Sequence, residues 1–304
     1  MPADVVVIEG SVPGGEGFLE SFSRELGASA VKPTYKRFPD GEAYVRLPGG
    51  TLRGARVAVV VQSIAPPQDS SLVTAMLLAD AAKRAGFERV VLVAPYIAYA
   101  RQDRVFLEGE PVSLDVVFKA LYHSGFDELY TVEIHSRGSE SRFPGRSRSV
   151  SPFRSLAALV EGRRAVVIAP DRGALERARE LAEAAGLDYD YLEKHRDRVT
   201  GEVTVKPKTL DVDGMDAVLV DDIISTGGTI AKAARTLREQ GARRVYVIVA
   251  HALLVGGAQD RLRESGVSRV YSCNTLPPVG GGLVEYVDVG GLVASEVKRS
   301  IGVA

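Results

Sequence analysis

Residues 218–230 read VLVDDIISTGGTI. The apolar, β-branched start of this stretch reads as a strand buried on both faces. It closes on two adjacent carboxylates, Asp221 and Asp222, and then enters a turn of Ser225, Thr226, Gly227, Gly228 and Thr229 that opens a helix. Carboxylates are poor strand residues, and unpaired charge beside a core is costly, so a scaffold has no use for them there. Backbone amides at such a turn converge on one point, the helix N-terminus adds positive partial charge, and hydroxyls donate as well, which together receive phosphate. Glycine lets the chain approach the ligand closely. The carboxylates accept bonds from sugar hydroxyls or hold a magnesium ion. The lysine of a GxxxxGK[ST] loop is absent. The bland alternative is an ordinary turn with two N-cap carboxylates.

The same grammar extends in both directions. DAVLVDD (216–222) leads into TIAKAARTLREQG (229–241) and RRVYVIVAHAL (243–253); AVVIAPD (165–171), ALERARELAEAAG (174–186) and YDYLEK (189–194) precede it. The first half carries VAVVVQS (57–63), SLVTAMLLADAAKRAG (71–86) and RVVLVAP (89–95). Strands alternating with amphipathic segments predict βαβ units with parallel strands. Gly86, Gly186 and Gly241 stand where helices should stop. The halves read as one design used twice, joined through RGSESRFPGRSRSVSP (137–152), which reads as a polar linker or as an arginine-lined surface for an anion or subunit, with a last strand and short helix in 280–299.

The chain has 304 residues, 45% hydrophobic and 25% charged, as expected of a soluble globular protein of two domains. A formal net charge of -1 gives no global attraction to nucleic acid or anionic membrane. No apolar stretch approaches a membrane span, and the start MPADVVVIEG reads as a first strand, not a signal peptide. One cysteine, Cys273, excludes an intrachain disulfide, which points to a reducing compartment and a cytoplasmic location.

The turn at 218–230 resembles the ribose-5-phosphate loop of type I phosphoribosyltransferases. RFPDGEAYVRL (37–47), PYIAYARQDR (95–104), EIH (133–135), APDRG (169–173) and EKHR (193–196) resemble, in order, landmarks of ribose-phosphate pyrophosphokinases, most nearly the archaeal branch. The resemblance implies an α/β fold of two similar phosphoribosyltransferase-like domains, each with a mainly parallel central sheet flanked by helices. It divides the chain into residues 1–146 with ATP contacts and 147–304 with the ribose-5-phosphate site, the last segment packing back on the first domain. It also implies transfer of the β,γ-diphosphoryl group of ATP to the C1 hydroxyl of ribose 5-phosphate, with Mg2+ as cofactor, in a homo-oligomer whose neighbouring subunit helps to build the ATP site.

Carried over residue by residue, the resemblance gives Phe38, Asp40, Gly41, Glu42, Arg101 and Gln102 to ATP. It gives His135 and Asp171 to the metal, and Lys194 and Arg196 to catalysis. Ribose 5-phosphate falls to Arg196, Asp221, Asp222, Ser225, Thr226, Gly227, Gly228 and Thr229. The polar segment after Arg196 is expected to form a flap over the reactants. Common relatives carry Gln-Ile-Gln-Gly-Phe-Phe after the histidine, where this chain has SRGSESRF (136–143). The rival readings are a true phosphoribosyltransferase and a non-catalytic homologue that assembles with a synthase.

Overall fold

The computed structural model describes residues 4–49, 54–196, 203–207 and 211–302. Two units divide the chain, and the first comprises Met1–Val150, Asn274–Pro278 and Asp288–Ala304. Its elements run β1 (Val5–Glu9), α1 (Phe18–Leu26), β2 (Ala30–Val31), β3 (Thr34–Arg37), β4 (Ala43–Arg46), β5 (Val57–Val61) and α2 (Gln68–Arg84). They continue through β6 (Arg89–Ala94), α3 (Ser113–His123), β7 (Glu128–Val132) and β8 (Arg146–Val150). The sheet order is β2-β1-β5-β6-β7-β8, with every pairing parallel. Strands β5, β6 and β7 are almost wholly buried, as β-branched runs covered on both faces should be. The pair β3–β4 stands apart as an antiparallel hairpin.

The second unit comprises Ser151–Cys273 and Val279–Val287. It holds α4 (Phe153–Leu156), β9 (Ala165–Ala169), α5 (Leu175–Ala185), β10 (Asp188–Arg196), β11 (Val203–Pro207), β12 (Asp216–Ile224) and α6 (Gly228–Glu239). Then come β13 (Arg244–Ala252), α7 (Ala258–Glu264), β14 (Val267–Cys273) and β15 (Val284–Val287). Its sheet order is β11-β10-β9-β12-β13-β14-β15, parallel except for the β10–β11 pair. Val166, Ile168, Leu219, Val247 and Val249 from the sheet pack with Ile230, Ala234 and Leu237 of α6 in one apolar cluster. The expected fold class stands: both sheets are mainly parallel and flanked by helices.

Two sequence expectations change. The strand carrying Asp221 and Asp222 does not stop there, because β13 continues the ladder and pairs Ile223 with His251 and Ile224 with Ala252. The stretch 137–152 is not a plain linker. Ser139–Arg142 forms a 3-10 turn, and β8 adds an edge strand to the first sheet. Gly86, Gly186 and Gly241 follow the ends of α2, α5 and α6 with φ of 94°, 67° and 89°.

The last helix, α8 (Gly290–Ile301), belongs to the first unit and packs on α1. Asn274 and Thr275, which return the chain to that unit, accept bonds from Gly15 N at 2.7 Å and Ser63 Oγ at 2.9 Å. The helices meet closely at Gly290, where an added Cβ would fall 2.2 Å from Ser21 Oγ and 2.3 Å from the Phe18 carbonyl oxygen. No described helix is long and apolar enough to cross a membrane. Gly290→Ala is therefore expected to cost about 1–3 kcal/mol by overpacking, read as a lower urea midpoint; an unchanged midpoint would show that α1 and α8 do not meet this closely.

Candidate functional site

In an open parallel sheet, ligands bind outside the carboxyl ends of the strands, where the strand order reverses. In the second unit the chain passes from β9 to β10 on one side, and β12 lies on the other side of β9, so the reversal lies between β9 and β12. Asp171 follows β9, and Asp221 and Asp222 lie near the end of β12. Lys194 and Arg196 lie on the backbone of β10, beside β9. Three adjacent strands thus carry five expected site residues to one sheet edge. The side chains of Lys194 and Arg196, and residues 197–202 of the expected flap, lie outside the described residues.

Asp222 is only 3% exposed, and its amide donates to Asp221 Oδ1 at 2.9 Å. Burial first, and then the charge and hydrogen bonding of Asp222, push the Asp221 carboxyl up to about 8. Arg177 of α5 pulls in the opposite direction. This guanidinium is 5% exposed, and Nη1 donates to the Gly173 carbonyl at 3.3 Å, in the turn that begins at Asp171. Sequence reasoning missed Arg177, because in ALERARE an arginine looks like part of a solvated helix face. No sequence signal separates it from its neighbour Arg179, which is half-buried and paired with Glu176 and Glu183.

Beyond the acidic pair, Ser225 and Thr226 form the turn and Gly227 caps α6 with φ 75°, a left-handed value that suits glycine. Neighbours hold the turn: Val255 N donates to Ser225 O at 3.0 Å, Ala231 N donates to Gly227 O at 2.8 Å, and Arg261 of α7 bonds the Thr226 carbonyl. Thr226, Gly228 and Thr229 are exposed, and Ser225 is half-buried. The first-turn amides of α6 have no acceptors within their own helix, so the turn offers an anion both donors and a dipole.

In the first unit, FPDG forms the turn of the β3–β4 hairpin, where Phe38 N donates to Glu42 O and Gly41 N to Phe38 O, each at 2.9 Å. Glu42 N donates to Asp40 Oδ1 at 3.2 Å, and Arg37 Nη1 to Gly41 O at 2.7 Å. Phe38 is 41% exposed and stands edge-on to Tyr44 at 5.9 Å, with Lys36 Nζ 4.9 Å from its ring. Beside the hairpin lies a cavity of about 290 Å³ lined by Ser11, Tyr35, Arg37, Tyr44, Ser70 and Thr74, among others.

The first turn of α2 draws two expected ATP segments together. Arg37 of the hairpin bonds Ser70, and Tyr99, which precedes Arg101, bonds Asp69. Arg101 is exposed. Gln102 is fixed by Ser113 and by Leu114 N, which donates to its carbonyl at 3.3 Å. His135 is exposed on the turn after β7, whose carboxyl end adjoins that of β6, the strand before Arg101.

Among the described residues no three His, Cys, Asp or Glu side chains cluster as a ready metal cage. Asp171 is exposed, with Oδ1 accepting from Gly173 N at 2.8 Å. One exposed carboxylate at a strand end suits Mg2+, which binds through one or two protein carboxylates and keeps water and substrate phosphates as its other ligands.

Comparison with known proteins agrees with this architecture. Residues 11–125 match the sequence family described as the N-terminal domain of ribose phosphate pyrophosphokinase, and residues 154–284 match the phosphoribosyl transferase domain. The chain is 44% identical to the ribose-phosphate pyrophosphokinase of Aeropyrum pernix, covering 99% of this chain and 98% of that one. It is 43% identical to that of Methanopyrus kandleri, over 92% of this chain and 94% of the other. Among solved structures, phosphoribosylpyrophosphate synthetase from Mycobacterium smegmatis is similar with a TM-score of 0.87 at 28% identity, covering 99% of both chains.

The raised Asp221 carboxyl has a consequence for stability. Between the ordinary carboxylate range and about pH 8, the folded protein holds a proton that the unfolded chain has lost, so this contribution falls as pH rises through that window and levels off above it. Asp221→Asn should therefore stabilise the ligand-free protein by about 0.5–2 kcal/mol near pH 8 and by much less near pH 5. Urea unfolding at both values checks this; a difference independent of pH would contradict it.

Proposed function

The chain belongs to the family of ribose-phosphate pyrophosphokinases, and from that premise we propose how its own residues carry out the transfer from ATP to ribose 5-phosphate. The observation that carries the reading is the acidic pair Asp221–Asp222 set beside the open first turn of α6, at the reversal point of the second sheet. Asp221 and Asp222 take the ribose hydroxyls. Ser225, Thr226, Gly227, Gly228 and Thr229 receive the 5-phosphate through amides and hydroxyls. The second unit is thus the ribose-5-phosphate half.

The first unit is the ATP half. Phe38 offers its exposed ring to the base, while Asp40, Gly41 and Glu42 at the hairpin turn meet the nucleoside. Arg101 and Gln102 address the polyphosphate, where a guanidinium fork suits phosphate oxygens. Asp171 and His135 would hold Mg2+. Bound Mg2+ neutralises charge on the phosphate oxygens.

The C1 hydroxyl of ribose 5-phosphate attacks the β-phosphorus and loses its proton to solvent, the bond from the β-phosphorus to the oxygen it shares with the α-phosphorus breaks, and AMP leaves with that oxygen. Negative charge gathers on the phosphoryl oxygens as this happens. Lys194 and Arg196 supply cations there, and groups fixed where charge develops lower the barrier more than they tighten substrate binding. Their strand, β10, borders the strand that precedes Asp171, which supports the assignment.

The reading includes a homo-oligomer in which a neighbouring subunit completes the ATP site. Exposed Val105, Phe106 and Leu107, which follow Arg101 and Gln102 in the same loop, supply apolar surface for it. A buried lone Cys273 fits the reducing cytoplasm in which we place the protein.

Phosphorus NMR of the purified protein with ribose 5-phosphate, ATP and Mg2+ tests the reading. Equimolar AMP and phosphoribosyl pyrophosphate are expected, with the rate falling by about 100-fold or more in Lys194→Ala. ADP with a ribose bisphosphate, or full activity in the variant, would overturn it.

A further inference from the structure

Between β7 and β8 runs SRGSESRF (136–143). Its arginines tie down two loops. Glu133, the first residue after β7, is 2% exposed and has φ 32°, a left-handed value uncommon outside glycine. Its carboxylate receives a fork from Arg137, Nε to Oε1 at 2.9 Å and Nη2 to Oε2 at 3.2 Å. The backbone here is fixed too, since Glu133 N donates to Val150 O at 3.0 Å and Ile134 N to Ser149 Oγ at 2.9 Å. Exposed His135 projects from this anchored turn.

Arg142 reaches the other way. Nη2 donates to Asp115 Oδ2 of α3 at 2.7 Å, and Nη1 bonds the carbonyl of Asp103, the residue after Gln102. Phe143 follows, 2% exposed, with its ring edge-on to Phe118 and Tyr122 of α3 at 5.8 Å each. One short segment therefore holds the turn that bears His135, the loop that bears Arg101 and Gln102, and the helix beneath that loop.

We propose that residues 136–143 are a positioning clamp for the ATP side of the site. Arg137, acting through Glu133, sets the turn of His135, and Arg142, acting through Asp103 and Asp115, sets the loop of Arg101 and Gln102. The inference rests on the assignment of those loops to ATP and metal. A planar fork bonded to a loop and a helix at once fixes the distance between them, whereas an ammonium is a single point. The Arg142–Asp115 pair is about a third exposed on both sides, a setting in which ion pairs add little to global stability. Loss of Arg142 should thus act on the geometry of the loop and leave the fold alone.

Steady-state kinetics, calorimetric titration of MgATP and thermal unfolding of Arg142→Met, Arg142→Lys and Arg137→Lys, all in the full chain, test the clamp. Arg142→Met should raise both the KM for ATP and the MgATP Kd about tenfold, with the KM for ribose 5-phosphate within about twofold. Arg142→Lys should fall between Arg142→Met and the parent. Arg137→Lys keeps a cation beside buried Glu133, so it should fold normally and lower kcat about tenfold. Unchanged MgATP affinity in Arg142→Met, or KM values that rise together for both substrates, would overturn the clamp. A parent protein that binds MgATP without turnover would sink the functional reading instead, and the calorimetric comparison would still decide the clamp. Failure of the parent to bind MgATP would overturn both.

Discussion

Two carboxylates at adjacent positions of a buried parallel strand impose a constraint that shapes the whole second unit. Asp221 and Asp222 act on one another closely enough to raise the Asp221 carboxyl, and each needs a reason to be tolerated. The structure supplies partial relief. Arg177 lies buried nearby, the Asp222 amide bonds the Asp221 carboxylate, and α6 presents its positive end just beyond. The relief is incomplete, since Asp221 stays far above the ordinary carboxylate range. That residual cost is stability traded for the site proposed to take the sugar hydroxyls. Parallel strand order then decides what else stands at the same sheet edge, namely Asp171 after β9 and the Lys194–Arg196 strand beside it.

The first unit solves a different problem with the same sheet. The residues proposed to meet ATP lie on loops and a hairpin, where nothing in the strand ladder fixes geometry. Fixation comes from polar contacts to helix starts: Arg37 and Tyr99 on the first turn of α2, and Ser113 and Leu114 on Gln102. Arg137 and Arg142 extend the same device to the loops after β6 and β7. Segments that are irregular in sequence thereby become fixed without joining the hydrophobic core.

Much of this was legible before the structure. The strands were readable because a parallel sheet covered on both faces demands unbroken β-branched runs such as VAVVV, and the turn at 225–229 because its glycines and hydroxyls break that pattern. The continuation of β12 past Asp222 was not readable, because it depends on the length of a partner strand distant in sequence. Nor was β8, whose RSRSV lacks apolar character because it is an edge strand. Arg177, Arg137 and Arg142 were opaque for a common reason. An arginine in a charged stretch looks solvated, and only the tertiary fold shows which one meets a buried or bridging acceptor. The roles of Phe38, Arg101, His135 and Lys194 came from resemblance, since no local pattern distinguishes them from turn, surface or strand-end residues.

We propose that the turn after β12 receives the phosphate of ribose 5-phosphate. Amide hydrogen exchange across residues 225–229, with and without ribose 5-phosphate, tests it most directly. Slower exchange of the turn and first-turn amides of α6 is expected on addition of the sugar phosphate, with a much weaker effect from ribose alone. Unchanged exchange there, with protection confined to the first unit, would contradict it.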